Sequence, residues 1–167
     1  MESQVVRDSL LKLAGKLDTK IGGPSLDPGT DSRRRSIYFK YSVDQQDKFL
    51  NMFDDADVLQ CYRRSESVVP QQALALSNSS LSIEMAASIA ERIGTSLDKP
   101  NRTAFIEETV YLLLGRTPTD SETSECARFF DEMAALTADS QPDGSEKRIR
   151  ARFVQAILNH NDFISIR

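Results

Sequence analysis

The chain is poor in the side chains that do metal and redox chemistry, with two cysteines and one histidine among 167 residues. Two thiols are too few for a disulfide-stapled scaffold or a four-thiolate metal site. A single histidine excludes His-rich metal clusters, and no Cys-x-x-Cys-His run is present to attach a c-type haem. Long apolar runs are missing as well. No stretch approaches the roughly 18 apolar residues of a membrane-spanning helix. Met1-Glu2-Ser3-Gln4 also lacks the basic-then-apolar plan of a secretory signal. Positive charge is in short supply: 21 Lys and Arg against 25 Asp and Glu leave a formal charge of -4. That argues against a nucleic-acid binder, whose affinity rests on Lys and Arg meeting phosphates.

What is present suffices for a packed domain, since 40% of residues are hydrophobic and 28% charged. The pattern is helical. Val5, Val6, Leu10, Leu11, Leu13 and Leu17 predict a first helix over about 3–17, ending near Gly15 to Asp18. Because this helix starts almost at Met1, the chain reads as a fragment of a longer protein, and an apolar patch is expected near residues 5–17. A loop follows through Gly22-Gly23-Pro24 and Pro28-Gly29. Ser36 to Tyr41 has strand-like composition but no evident partner, so it reads as an isolated extended segment. Gln45 to Phe53 suggests a short helix. Val69-Pro70 opens another, which breaks at Ser77 to Ser80. Leu81 to Ile93 should form the next, with Gly94 as its stop. Asn101 caps a helix closed by Gly115, and Thr119 with Glu122 forms a capping box for a helix carrying Cys126, Phe129, Phe130 and Met133. After a polar turn over Asp139 to Ser145, a last helix runs until Asn159-His160-Asn161-Asp162. The expectation is an all-α fold of six or seven helices in an orthogonal or irregular bundle, with a long irregular loop and a trace of β. It forms a single domain over 1–167, with a possible subdivision into a loop-rich 1–66 and a bundle over 67–167.

Reactive constellations are few. His160 sits at a helix exit without a nucleophile motif and reads as a solvated or capping residue. Cys126 lies on an apolar helix face. Cys61, beside Tyr62-Arg63-Arg64, has cationic neighbours that favour a thiolate. Asp54, Asp55 and Asp57 lack EF-hand spacing and read as a solvated helix end. Arg33-Arg34-Arg35 with Tyr38, and Arg63-Arg64 with Tyr62, form two basic spots suited to an anionic group. More commonly such arginines pair with nearby acids, here Asp54 to Asp57. The surface candidates are therefore Arg34, Arg35, Tyr38, Asp54, Cys61, Arg63 and Arg64. No residue is assigned to catalysis, cofactor or metal.

Several segments in order carry a family resemblance. They include Arg7-Asp8-Ser9-Leu10-Leu11, Gly22-Gly23-Pro24-Ser25, Arg34-Arg35-Ser36-Ile37-Tyr38, Pro70-Gln71-Gln72-Ala73-Leu74-Ala75-Leu76-Ser77-Asn78, Leu114-Gly115-Arg116-Thr117-Pro118-Thr119 and Leu158-Asn159-His160-Asn161-Asp162-Phe163. Together they resemble the planctomycete-enriched PSD-type domain of unknown function, in its C-terminal part. The resemblance implies a module closing a large exported protein, periplasmic or at the cell surface, with a c-type cytochrome module commonly upstream. Any haem would then lie outside this chain. The resemblance brings no activity or catalytic residues with it. The leading expectation is a non-catalytic helical module that packs against upstream domains of its own parent chain. The alternative is an accessory part of a carbohydrate-active or polymer-binding enzyme, its surface formed by Arg34, Arg35, Tyr38, Asp54, Arg63 and Arg64, with a polysaccharide or another protein as partner.

Overall fold

The computed structural model describes residues 2–42, 44–53, 70–97, 101–137 and 142–164. Among these the architecture is mainly α: α1 (Ser3–Leu13), α2 (Pro70–Asn78), α3 (Ser80–Ser96), α4 (Arg102–Leu114), α5 (Asp120–Thr137), α6 (Pro142–Leu158) and the single turn α7 (Asn161–Ile164). No strand is present among the described residues. Three isolated bridges, Asp18 to Arg34, Leu26 to Phe39 and Ser42 to Gln45, are the only β-type pairing described.

The bundle is organised around α3 and α6, which pack most extensively against each other. Met85, Ile89 and Ile93 from α3, and Ile149, Phe153, Val154 and Leu158 from α6, are buried in one apolar core. Phe105, Phe129, Phe130 and Phe153 form a ring cluster, the closest centroids being those of Phe130 and Phe153 at 5.1 Å. Such tilted arrangements add to what ring burial alone contributes.

Most helix ends follow from local chemistry. The Ser79 hydroxyl accepts from the Ser82 amide, so α2 and α3 are separate helices. Asn101 accepts from the Ala104 amide at 2.6 Å. Gly115 closes α4 with φ 69°, a left-handed conformation that glycine adopts without a Cβ penalty. Thr119 and Glu122 exchange bonds, Thr119 N–H to Glu122 at 2.8 Å and Glu122 N–H to the Thr119 hydroxyl at 3.3 Å.

Five local expectations are corrected. The first helix stops at Leu13 because Gly15 is left-handed and the Lys16 amide bonds back to the Leu11 carbonyl at 2.8 Å. This Schellman-type closure ends the helix although Leu17 keeps the apolar period. Gly94 does not end α3, which continues to Ser96. A Cβ at Gly94 would lie 3.2 Å from the Arg150 guanidinium, so that glycine serves close approach of α6. Residues 45–53 contain only a 3-10 turn, Leu50–Met52, initiated by Asp47 accepting from the Phe49 and Leu50 amides. Ser36–Tyr38 is another 3-10 turn, and only Phe39 of that stretch makes a bridge. The polar turn expected up to Ser145 is helical from Pro142 onward.

Helix α1 packs on α3 with Val6, Leu10 and Leu11 fully buried. Arg92 of α3 donates to the Leu13 carbonyl at 2.8 Å, satisfying an otherwise unpaired acceptor at the end of α1. On its other side, α1 contacts both 3-10 turns.

Candidate functional site

The loop over residues 18–41 is held to α1 by polar contacts. Arg7 lies on the buried face of α1 with its side chain only 6% exposed. Its guanidinium donates to the carbonyls of Arg34 and Ser32 and to the Ser36 hydroxyl, and sits 4.8 Å from the Phe39 ring centroid. Burial pushes the Arg7 group down from its ordinary pKa, and Asp8 opposes that shift. Asp8 accepts from both the amide and the hydroxyl of Ser36, at 2.8 and 2.6 Å. A buried guanidinium persists only when its donors are satisfied, and loop carbonyls satisfy this one.

A second clamp folds the loop on itself. The Arg34 guanidinium donates to the Gly22 and Pro24 carbonyls and stacks 3.9 Å from the Tyr38 ring centroid. The Tyr38 hydroxyl accepts from the Gly22 amide at 2.9 Å. Gly22 and Gly23 have φ 80° and 97°, which lets the backbone turn beneath the guanidinium. Outside this clamp, Arg33 forms a two-pronged ion pair with Glu84 of α3 at 2.8 and 3.0 Å. Lys16 joins the same carboxylate at 3.1 Å. Arg33 and Lys16 therefore hold the Glu84 carboxyl below its usual pKa.

Between α1 and the pinned loop runs a groove of about 990 Å³. Glu2, Val5, Ser9, Lys12 and Leu13 line it from one end of α1 to the other, and Arg35, Ile37, Phe39 and Tyr41 line it from the loop. Buried side chains from three remote elements complete it: Leu50, Leu113 of α4 and Phe163 of α7. Val5 is 41%, Ile37 72% and Tyr41 42% exposed. The expected apolar patch on the first helix thus takes a specific form. Val6, Leu10 and Leu11 enter the core, while Val5, Leu13 and Leu17 line the groove.

The surface candidates do not share one environment. Arg35 lines the groove, with Nε 3.8 Å from Asp8. Arg34 and Tyr38 are engaged in the loop clamp. Asp54, Cys61, Arg63 and Arg64 lie outside the described residues. Arg7, Asp8 and Ser36, which organise the region, were quoted only as parts of family motifs. The available signal was a lone arginine on an otherwise apolar helix face.

Elsewhere several described ionisable groups make local structural contacts. His160 accepts from the Asp162 amide through Nδ1 at 3.2 Å, at the start of α7. Burial, with Glu122 and Glu125 nearby, pushes the Cys126 thiol up, away from the reactive thiolate. Arg116 grips Glu122 at 2.7 and 2.9 Å and reaches Asp162, linking α5 to α7. With the Thr119 bonds, it draws the Glu122 carboxyl down to about 2. Among the described residues no group of three or more His, Cys, Asp or Glu is placed to hold a metal ion. None of the described helices is long and apolar enough to cross a membrane.

The described residues thus form a mainly α-helical bundle with a groove beside its first helix. Residues 1–130 match PSD1, described as a protein of unknown function (DUF1553), and the chain belongs to that family. No curated protein and no solved structure matches it.

Proposed function

We propose that this chain is a non-catalytic helical module that packs against neighbouring domains of a large exported protein. The observation supporting this reading is the groove along α1. It combines buried apolar side chains at its base with exposed Val5, Ile37 and Tyr41 at its margin. Exposed apolar side chains gathered around a concavity mark interaction surfaces more than isolated ones do. Export, the multidomain parent and an upstream cytochrome module come from the family resemblance.

The reading is tested by expressing the remainder of the parent polypeptide separately and titrating it calorimetrically into this chain. Association is expected, weakened at least about tenfold by combining Ile37→Asp with Tyr41→Asp, since apolar anchors dominate such interfaces. No association with the remainder, or association indifferent to these substitutions, would contradict it.

A further inference from the structure

The α7 end of the groove is built beside the chain's single histidine. Asp162 and Phe163 of α7 line that end, and Phe163 is buried. Helix α7 is four residues long and packs on α4 and α6. His160 stands immediately before it. Its Nδ1 accepts from the Asp162 amide at 3.2 Å, which gives one of the turn's unpaired amides an acceptor. An Nδ1 that accepts carries no proton, so the imidazole making this bond is the neutral one.

A carboxylate lies beside the same nitrogen. Asp162 Oδ2 is 3.6 Å from Nδ1 and 3.5 Å from the Arg116 guanidinium, which also holds Glu122 of α5. Among the described residues, the charged groups linked to the ring are therefore Asp162 on α7, Arg116 just past α4 and, through Arg116, Glu122. The ends of the two helices beneath α7, Leu112 to Leu114 of α4 and Gln155 to Leu158 of α6, carry no ionisable side chain. Histidine is the side chain whose charge ordinarily changes between about pH 5 and 8, while carboxylates and guanidinium groups hold theirs.

Protonation turns Nδ1 from an acceptor into a donor, so it can no longer take the Asp162 amide. The carboxylate within reach of the new donor belongs to the same residue. From this geometry we infer that His160 is a pH-sensitive latch at the α7 end of the groove. The neutral ring caps α7 and leaves the Asp162 carboxylate with Arg116. The imidazolium gives up the Asp162 amide, draws the carboxylate from Arg116 and repels that guanidinium. The turn then re-seats Phe163, and the groove changes shape at that end. The latch belongs to this chain alone and operates whether or not a partner docks in the groove.

The test is an NMR titration of the intact chain from pH 8 to pH 5, with the His160 ring protons giving the midpoint. A new charge by itself shifts nearby nuclei, so the deciding signals are more distant ones. These are the methyls of Leu50 and Leu113, which line the groove together with the Phe163 ring. They are expected to shift with the midpoint of the His160 ring, as the Asp162 amide signal moves upfield with the loss of its bond. In His160→Gln, checked by its thermal midpoint and replaced by His160→Asn if it fails to fold, these signals should stay fixed across the window. Leu50 and Leu113 methyls that do not move in the native chain would overturn the latch. So would the same titration persisting in the variant.

Discussion

Residues 70–164 and residues 2–53 are held by different physics. In the first, Met85 and Ile89 of α3 and Phe153 and Leu158 of α6 are buried in one apolar core. In the second, α1 contributes Val6, Leu10 and Leu11 to that same core, but the loop beyond it hangs on Arg7, Asp8 and Arg34. Apolar burial is non-directional and tolerates variation in detail. A guanidinium satisfied by three loop groups fixes one backbone path, because each lost partner strands a buried polar atom. The difference explains where the groove lies: one wall belongs to the core helix, the other to a strap positioned by hydrogen bonds.

The strongest way to break the comparison is to attack the core. Phe153→Ala removes a ring from the aromatic cluster and should cost about 4 kcal/mol. It should lower the whole unfolding transition in urea, with both regions melting together. Arg7→Leu should cost about 3 kcal/mol by stranding the Ser32 and Arg34 carbonyls. Its amide NMR changes should concentrate in 18–41 while those of α3 and α6 persist. Tyr38→Phe deletes one acceptor for the Gly22 amide and should cost about 1 kcal/mol. In that variant, faster hydrogen exchange confined to the Gly22 neighbourhood is expected.

The smallest effect sharpens the comparison from the bundle side, where Glu122 is the counterpart of the loop's polar clamps. Its folded-state pKa is drawn from 4.5 down to about 2 by Arg116 and Thr119. A depressed carboxylate pKa contributes stability that is full above about 4.5 and lost as pH falls through about 2. Glu122→Gln should therefore be less stable than the native chain near neutral pH and converge with it in acid. Because the pair is substantially exposed, the gap should be modest and shrink in salt. Thermal midpoints of both proteins across pH, at two salt concentrations, check this.

The sequence was legible where structure is local. Ser79, Asn101, Gly115 and the Thr119–Glu122 pair act within a few residues of their own positions, so their caps follow from spacing alone. Gly94 was misleading because its role depends on Arg150, more than fifty residues away, which only the packing of α6 brings near. Leu17 extended an apolar period past a helix that Gly15 had already closed. The groove was half legible. Its α1 face showed as apolar residues lacking a partner, and Arg35 lies within an arginine cluster. Leu50, Leu113 and Phe163 come from three elements that periodicity does not associate. Arg34 and Tyr38 looked like a ligand surface because an arginine beside an aromatic gives the same pattern whether it binds a partner or its own backbone.

The central claim is that Arg7 positions the strap forming one wall of the groove, independently of the apolar core. Residue-resolved hydrogen exchange on the native chain, Arg7→Leu and Phe153→Ala tests it most directly. The informative amides are Asp18, Leu26, Ser36 and Lys40, which bond to Arg33, Tyr38, Asp8 and Leu26 respectively. In Arg7→Leu these four should lose protection while α3 and α6 amides keep theirs, whereas Phe153→Ala should lower protection throughout. Uniform loss in both variants, or unchanged protection of the four strap amides without Arg7, would contradict the account.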